Sequence, residues 1–132
     1  MLIATWNVNS LNARSPRVEE WLELVQPDVL CLQETKMSDA QFPALDFTRL
    51  GYEAVHHGEG RWNGVAILSR VGIEDPVYGF DDTEDPDPDA RIVWATCNGV
   101  RVASVYVPNG RTVADPHYAY KLAWFSALTA HL

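Results

Sequence analysis

The chain has 132 residues, 47% of them hydrophobic and 21% charged, and its 10 basic and 18 acidic side chains give a formal net charge of −8. That balance excludes a disordered or low-complexity polypeptide and fits one domain, large enough to bury roughly two thirds of its unfolded surface. No run approaches the ~20 apolar residues of a membrane helix, no global basic charge announces a nucleic-acid partner, and the opening MLIATWNVNS is not expected to be a signal peptide.

Leu2 to Trp6 is a short apolar run and a predicted buried strand. Ser15-Pro16 predicts a helix start, with Ser15 as cap and Pro16 in the first helical position; Val18, Trp21, Leu22 and Val25 follow at helical spacing, and Pro27 ends the pattern. Val29 to Leu32 is a second buried strand. The order strand–helix–strand implies a parallel pair joined by a right-handed crossover. Ser38 with Gln41 resembles a capping box, opening a short helix that Gly51 closes after Leu50. Strands are then expected at Glu53–His56, Val65–Ser69, Ile92–Thr96 and Val100–Val107, the last two joined by a tight turn at Cys97-Asn98-Gly99. A final amphipathic helix begins near Pro116, with Tyr118, Leu122, Phe125, Leu128 and Leu132 on its apolar face. No Gly, Asn or Pro follows Leu132, so the pattern predicts a sequence cut short.

Two cysteines, Cys31 and Cys97, cannot build a disulfide framework or a cysteine zinc site. Free thiols suit a reducing cytoplasm. Six of the acidic residues, Asp81, Asp82, Glu84, Asp85, Asp87 and Asp89, crowd one proline-containing stretch. It reads as a solvated loop, since it lacks the glycine and final glutamate of a calcium loop. The four histidines, His56, His57, His117 and His131, read as loop, cap or surface residues. No G-x-S-x-G elbow, phosphate-binding P-loop or dinucleotide fingerprint is present.

The chemistry is expected at the carboxyl ends of the parallel strands, where open α/β sheets place their sites. The two-residue period sets Ile3, Thr5 and Asn7 on one face of the first strand, and Leu30, Leu32 and Glu34 on one face of the second. An amide oxygen and a carboxylate are hard ligands of the kind magnesium takes, with water and phosphate filling the remaining positions. From pattern alone, Asn7 could equally cap a turn and Glu34 could pair with Lys36 or an arginine. Tyr106 ends the last strand before Pro108-Asn109-Gly110, where its phenol could serve a phosphate or simply bond backbone from the core.

Four segments together resemble a known family. Thr5-Trp6-Asn7-Val8-Asn9-Ser10-Leu11, the run from Pro27 to Lys36 (PDVLCLQETK), Asn63-Gly64-Val65-Ala66-Ile67-Leu68-Ser69 and Val105-Tyr106-Val107-Pro108-Asn109-Gly110 are similar, in order, to the exonuclease III or family-1 abasic (AP) endonuclease group of the endonuclease/exonuclease/phosphatase superfamily. The resemblance implies a DNase I-like four-layered α/β sandwich, of which this chain supplies about one half: one mixed sheet with flanking helices. It implies that Asn7 and Glu34 hold Mg²⁺ or Mn²⁺ and that, with them, Tyr106 forms the catalytic group beside the scissile phosphate. It further implies that Arg91, Asn109 and Lys121 contact DNA. The family's later Gly-Asp-x-Asn block and Asp-His pair do not occur here, so the chain resembles the N-terminal part, residues 1–132, of a single such domain. The activity implied is cleavage of double-stranded DNA 5′ to abasic sites and trimming of 3′ ends, by a full-length protein expected to be monomeric and cytoplasmic, with no membrane partner. The fragment alone is expected to be inactive. The alternatives are another phosphoesterase of the superfamily, acting on phosphoinositide, sphingomyelin or RNA, and a non-catalytic half that needs a complementary segment.

Overall fold

A computed structural model of the chain describes residues 1–80 and 89–132. The acidic run Asp81, Asp82, Glu84, Asp85 and Asp87, read above as a solvated loop, lies outside the described residues.

Strands β1 (Ile3–Asn7), β2 (Val29–Gln33), β3 (Glu53–His57) and β4 (Val65–Ser69) form one sheet in the order β1-β2-β4-β3. β1 and β2 are parallel and in register from Ile3 opposite Val29 to Asn7 opposite Gln33, as strand–helix–strand order requires; the other two pairings are antiparallel. This is the mixed sheet expected from the sequence. A second sheet joins it: β5 (Glu74–Tyr78), β6 (Ile92–Cys97) and β7 (Val100–Val105), all antiparallel in the order β5-β6-β7. The expectation of one sheet therefore understated the chain. β5 escaped the sequence reading because Pro76 interrupts it, which an edge strand with a register shift between Glu74 and Val77 accommodates. Asn98 (φ 48°) and Gly99 (φ 77°) turn β6 into β7, the positive φ values that a tight hairpin demands.

Three apolar layers hold the sandwich, sorted by the alternation of each strand. Helix α1 (Leu11–Val25) and the short α2 (Ala44–Arg49) cover one face of the first sheet, where Leu11, Val18, Leu22 and Phe47 meet Leu30, Leu32, Ala66 and Leu68. Between the sheets lie Val29, Cys31, Val65 and Ile67, opposite Val93, Ala95, Cys97 and Val102. Helix α3 (Pro116–His131) covers the outer face of the second sheet through Trp124, against Phe80 and Ile92. The layer order is thus helix, sheet, sheet, helix. Cys31 and Cys97 are free and buried, and burial pushes the Cys31 thiol up to about 12, so it is an inert apolar side chain here. Among the described residues no helix is long and apolar enough to cross a membrane.

Two helices depart from expectation. α1 starts at Leu11, not at Ser15-Pro16: Ser10 caps it, its hydroxyl accepting from the Ala13 N–H at 3.3 Å, and Leu11 is fully buried. Pro16 sits inside the helix on an exposed position, where its ring withholds one N–H without disturbing the core. In the segment after Ser38, only a 3₁₀ turn (Asp39–Gln41) follows the cap, with Gln41 accepting from the Ser38 N–H at 3.3 Å, and Pro43 separates it from α2.

Candidate active site

The carboxyl ends of β1 and β2 and the end of β7 meet at one rim of the sandwich. Strand alternation alone sets Thr5 and Asn7 toward the space between the sheets, since Thr5 bonds to Gln33, which also reaches Ser104 of the second sheet. The same alternation sets Leu30 and Leu32 toward α1, and would send Glu34 with them. It does not go there. Glu34 takes φ 55°, a left-handed value that ends the strand and redirects its side chain to Asn7, whose Nδ2 donates to Glu34 Oε1 at 3.2 Å. Lys36 repeats the left-handed turn at φ 54°. Each such conformation costs about 1–2 kcal/mol in a residue with a Cβ, so the turn exists only because its surroundings hold it.

Three side chains converge on the Glu34 carboxylate. Asn7 donates to it, Lys36 Nζ lies 3.5 Å from Oε2, and the Tyr106 hydroxyl faces it from the second sheet. Partial burial pushes the Glu34 carboxyl up, but Asn7, Tyr106 and the Lys36 charge outweigh that and hold it below the usual glutamate value. Burial and the facing carboxylate raise the Tyr106 phenol, so it keeps its proton and can donate. Lys36 in turn donates to Asn9 Oδ1 at 2.6 Å, and Asn9 N–H to Asn7 Oδ1 at 3.1 Å, which ties the β1 loop to the β2 loop.

Of the sequence-predicted residues, Asn7, Glu34 and Tyr106 come together. Arg91 does not lie on the surface as a DNA-contacting arginine would. It is 7% exposed, stacked between the rings of Tyr106 (5.0 Å) and Tyr120 (5.8 Å), with Nε donating to Asp89 at 3.2 Å. It therefore backs Tyr106. Asn109 is exposed on the loop after Tyr106, its Oδ1 accepting from the Arg111 N–H at 2.8 Å, and Lys121 of α3 lies over Gly110 beside it.

The sequence reading missed a supporting layer. His56, expected as a loop, cap or surface residue, is buried within β3 with both ring nitrogens bonded: Nδ1 to Asp39 at 2.7 Å and Nε2 to Thr35 at 2.8 Å. Gln33 and Ser104 link the two sheets through a buried bond of 3.1 Å. The only prior signal for either was the run of polar residues (Gln33, Glu34, Thr35, Lys36) directly after an apolar strand.

A divalent cation fits the donor set. The carboxylate is a hard oxygen donor held in its charged form, and the Asn7 amide oxygen, which accepts one bond from the Asn9 N–H while Nδ2 faces Glu34, keeps a second lone pair that a cation could take. Among the described residues no group of three or more His, Cys, Asp or Glu forms, so water and phosphate would complete the shell.

Residues 4–132 match the Endonuclease/Exonuclease/phosphatase family. The chain is 35% identical over its whole length to the exodeoxyribonuclease III of Haemophilus influenzae, covering 51% of that protein. Its fold superposes with a TM-score of 0.94 on a 3′ phosphatase from Neisseria bound to a product DNA hairpin (44% identity, 99% of this chain, 51% of that one). An AP endonuclease from Archaeoglobus fulgidus gives the same TM-score at 42% identity, with 100% of this chain covered and 51% of that one. The chain thus spans about half the length of these relatives, and the match runs through β1, which ends at Asn7, and through β2 and β7, which Glu34 and Tyr106 directly follow. By its fold and by the sequence match, the chain belongs to the endonuclease/exonuclease/phosphatase family.

Proposed function

We propose that this chain is the N-terminal part of a metal-dependent DNA-repair phosphodiesterase of the exodeoxyribonuclease III type, which cuts 5′ to abasic sites and trims 3′ ends. The observation that carries the reading is the junction of Asn7, Glu34 and Tyr106 at one rim, with the carboxylate held ionised. Glu34 and Asn7 would hold Mg²⁺ or Mn²⁺. The ion would neutralise phosphate charge and make a bound water a better nucleophile. Tyr106, protonated and backed by the Arg91 cation, presents a donor to a phosphate oxygen. Asn109, exposed on the loop that follows Tyr106, and Lys121, whose side chain lies over Gly110 of that loop, support a contact to a DNA backbone beside the site. Double-stranded DNA is the partner, the complete protein is a monomer, and the two buried free thiols suit a cytoplasmic setting.

The test uses the complete protein on an end-labelled abasic duplex with Mg²⁺. Nicking 5′ to the site, lost in Glu34→Ala, is the expected result. Preference for phosphoinositide, sphingomyelin or RNA over abasic DNA would overturn the substrate choice.

A second reading has its own support. Between the rims of β1 and β7 a crevice of about 320 Å³, lined by Ile3, Thr5, Cys31, Val102 and Val105, opens the inter-sheet core to solvent, and Met1, Leu2 and Ile3 are exposed beside it. A chain with that opening is a non-catalytic half that pairs with a complementary segment. Nicking of abasic DNA by the 132-residue chain alone would exclude it.

A further inference from the structure

We propose that Asp39, His56 and Thr35 form a clamp that positions Glu34 for its cation, so that all three are positioning residues of the metal site. This rests on the reading of Asn7 and Glu34 as its ligands. Three features carry it. First, Glu34 reaches Asn7 only because residues 34 and 36 both adopt left-handed backbone (φ 55° and 54°), and Thr35 is the pivot between them. Second, Thr35 is pinned at every polar group. Its N–H donates to Gly64 O at 3.1 Å, its carbonyl accepts from the Leu11 N–H at 3.1 Å, and its hydroxyl meets His56 Nε2 at 2.8 Å. Third, the space around the pivot is closed: a Cβ at Gly64 would collide with Thr35 Oγ1, and one at Gly58 would collide with the His56 ring and the Met37 carbonyl.

The hydrogen-bond direction follows from the groups themselves. A carboxylate accepts only, so His56 Nδ1–H donates to Asp39. The neutral ring then has a bare Nε2, which accepts from the Thr35 hydroxyl. Asp39 also accepts from the Gly58 N–H at 2.9 Å, and Phe42 stacks on the ring at 4.4 Å, so tautomer and plane of the imidazole are both set. The chain of bonds runs from an exposed carboxylate through a buried ring to the residue next to the ligand. Groups that orient a metal ligand in this way typically contribute ten- to a hundredfold in metal affinity.

The experiment is a Mn²⁺ titration of the complete protein followed by electron paramagnetic resonance, with melting temperature measured in parallel. The unmodified protein is expected to bind Mn²⁺ and Glu34→Gln to lose binding. Thr35→Val, which keeps the shape and removes the hydroxyl, is expected to weaken binding about tenfold, while Thr35→Ser restores it. Leu22→Ala serves as control, since it loosens the same core from the α1 side, carries no group bonded to the clamp, and is expected to bind normally. Should Thr35→Val fail to fold, Asp39→Ala removes the exposed end of the clamp, and weaker binding is again expected. Normal Mn²⁺ affinity in the folded clamp variant overturns the proposal, as does an equal loss in Leu22→Ala at matched melting temperature. If the unmodified protein binds no Mn²⁺, or Glu34→Gln binds as well as it does, the site reading itself fails and the clamp falls with it.

Discussion

Helices α1 and α3 cover opposite outer faces of the sandwich, and the apolar stripes read from their sequences met different fates. In α1 the predicted positions Val18 and Leu22 are buried, Trp21 is half-buried edge-on to Trp6 at 6.0 Å, and only Val25 is turned out. In α3 the predicted stripe of Tyr118, Leu122, Phe125 and Leu132 faces solvent, and only its Leu128 touches the sheet. The residues that pack are Tyr120, Trp124 and Ala127, with Trp124 alone fully buried. The two helices differ in composition around the axis. α1 has one apolar side. α3 has two, at spacings that each satisfy the helical period. Periodicity cannot choose between them, and the larger buried area of a tryptophan decides.

The contrast predicts unequal consequences of losing an anchor. Trp124→Ala should cost about 3–5 kcal/mol and detach α3, because no other fully buried side chain of that helix remains. Leu22→Ala in α1 should cost about 2–5 kcal/mol yet leave the helix docked through Leu11 and Val18. Urea denaturation gives the first quantity, and hydrogen exchange resolved along the chain gives the second. Equal protection of α3 in the Trp124→Ala variant and the parent would break the comparison.

The first sheet is also tied by buried polar bonds. Tyr52 donates to the Pro27 carbonyl at 2.6 Å from the base of β3. Tyr52→Phe should cost about 1–2 kcal/mol, since it strands a buried acceptor, and the loss should fall on the α1 side. A loss spread evenly over both helices would mean that the layers unfold as one unit.

Acid should sharpen the same asymmetry. Burial holds the His56 imidazole below its ordinary value, and the nearby Asp39 only partly offsets this. A histidine depressed in the folded state contributes stability above its unfolded value, near 6.5, and that stability is lost as pH falls from there toward the folded value. The α1 side, which holds His56, should loosen first. His56→Gln should flatten the melting temperature between pH 7 and 5, roughly the range where an unperturbed histidine titrates. An unchanged slope would place the acid sensitivity elsewhere.

These cases show what could be read beforehand. The parallel β1–β2 pair, the Asn98-Gly99 hairpin and the convergence of Asn7, Glu34 and Tyr106 were legible because each follows from local pattern or from a motif. The burial of Arg91 and His56 was not, since it depends on which rings and carboxylates reach them across the fold. Nor was the turn at Glu34: alternation points its side chain toward α1, and only tertiary bonds around Thr35 sustain the left-handed backbone that reverses it. β5 was hidden by Pro76 for the converse reason, as an edge tolerates what a central strand would not.

The smallest expected effect is the most telling for α3. Leu122 is 50% exposed, so it buries little area in this chain. Leu122→Lys should therefore change the stability of the 132-residue chain by no more than about 0.5 kcal/mol, the usual range for surface positions. Added charge should also reduce self-association of an exposed apolar stripe formed with Tyr118 and Phe125, measurable as a smaller sedimentation-averaged mass at high concentration. A cost comparable with that of Trp124→Ala would show that both stripes of α3 are anchored, and the contrast with α1 would vanish. A neutral result leaves one helix with a face for the sheet and a second face free, which is why its sequence carries two superposed helical patterns where α1 carries one.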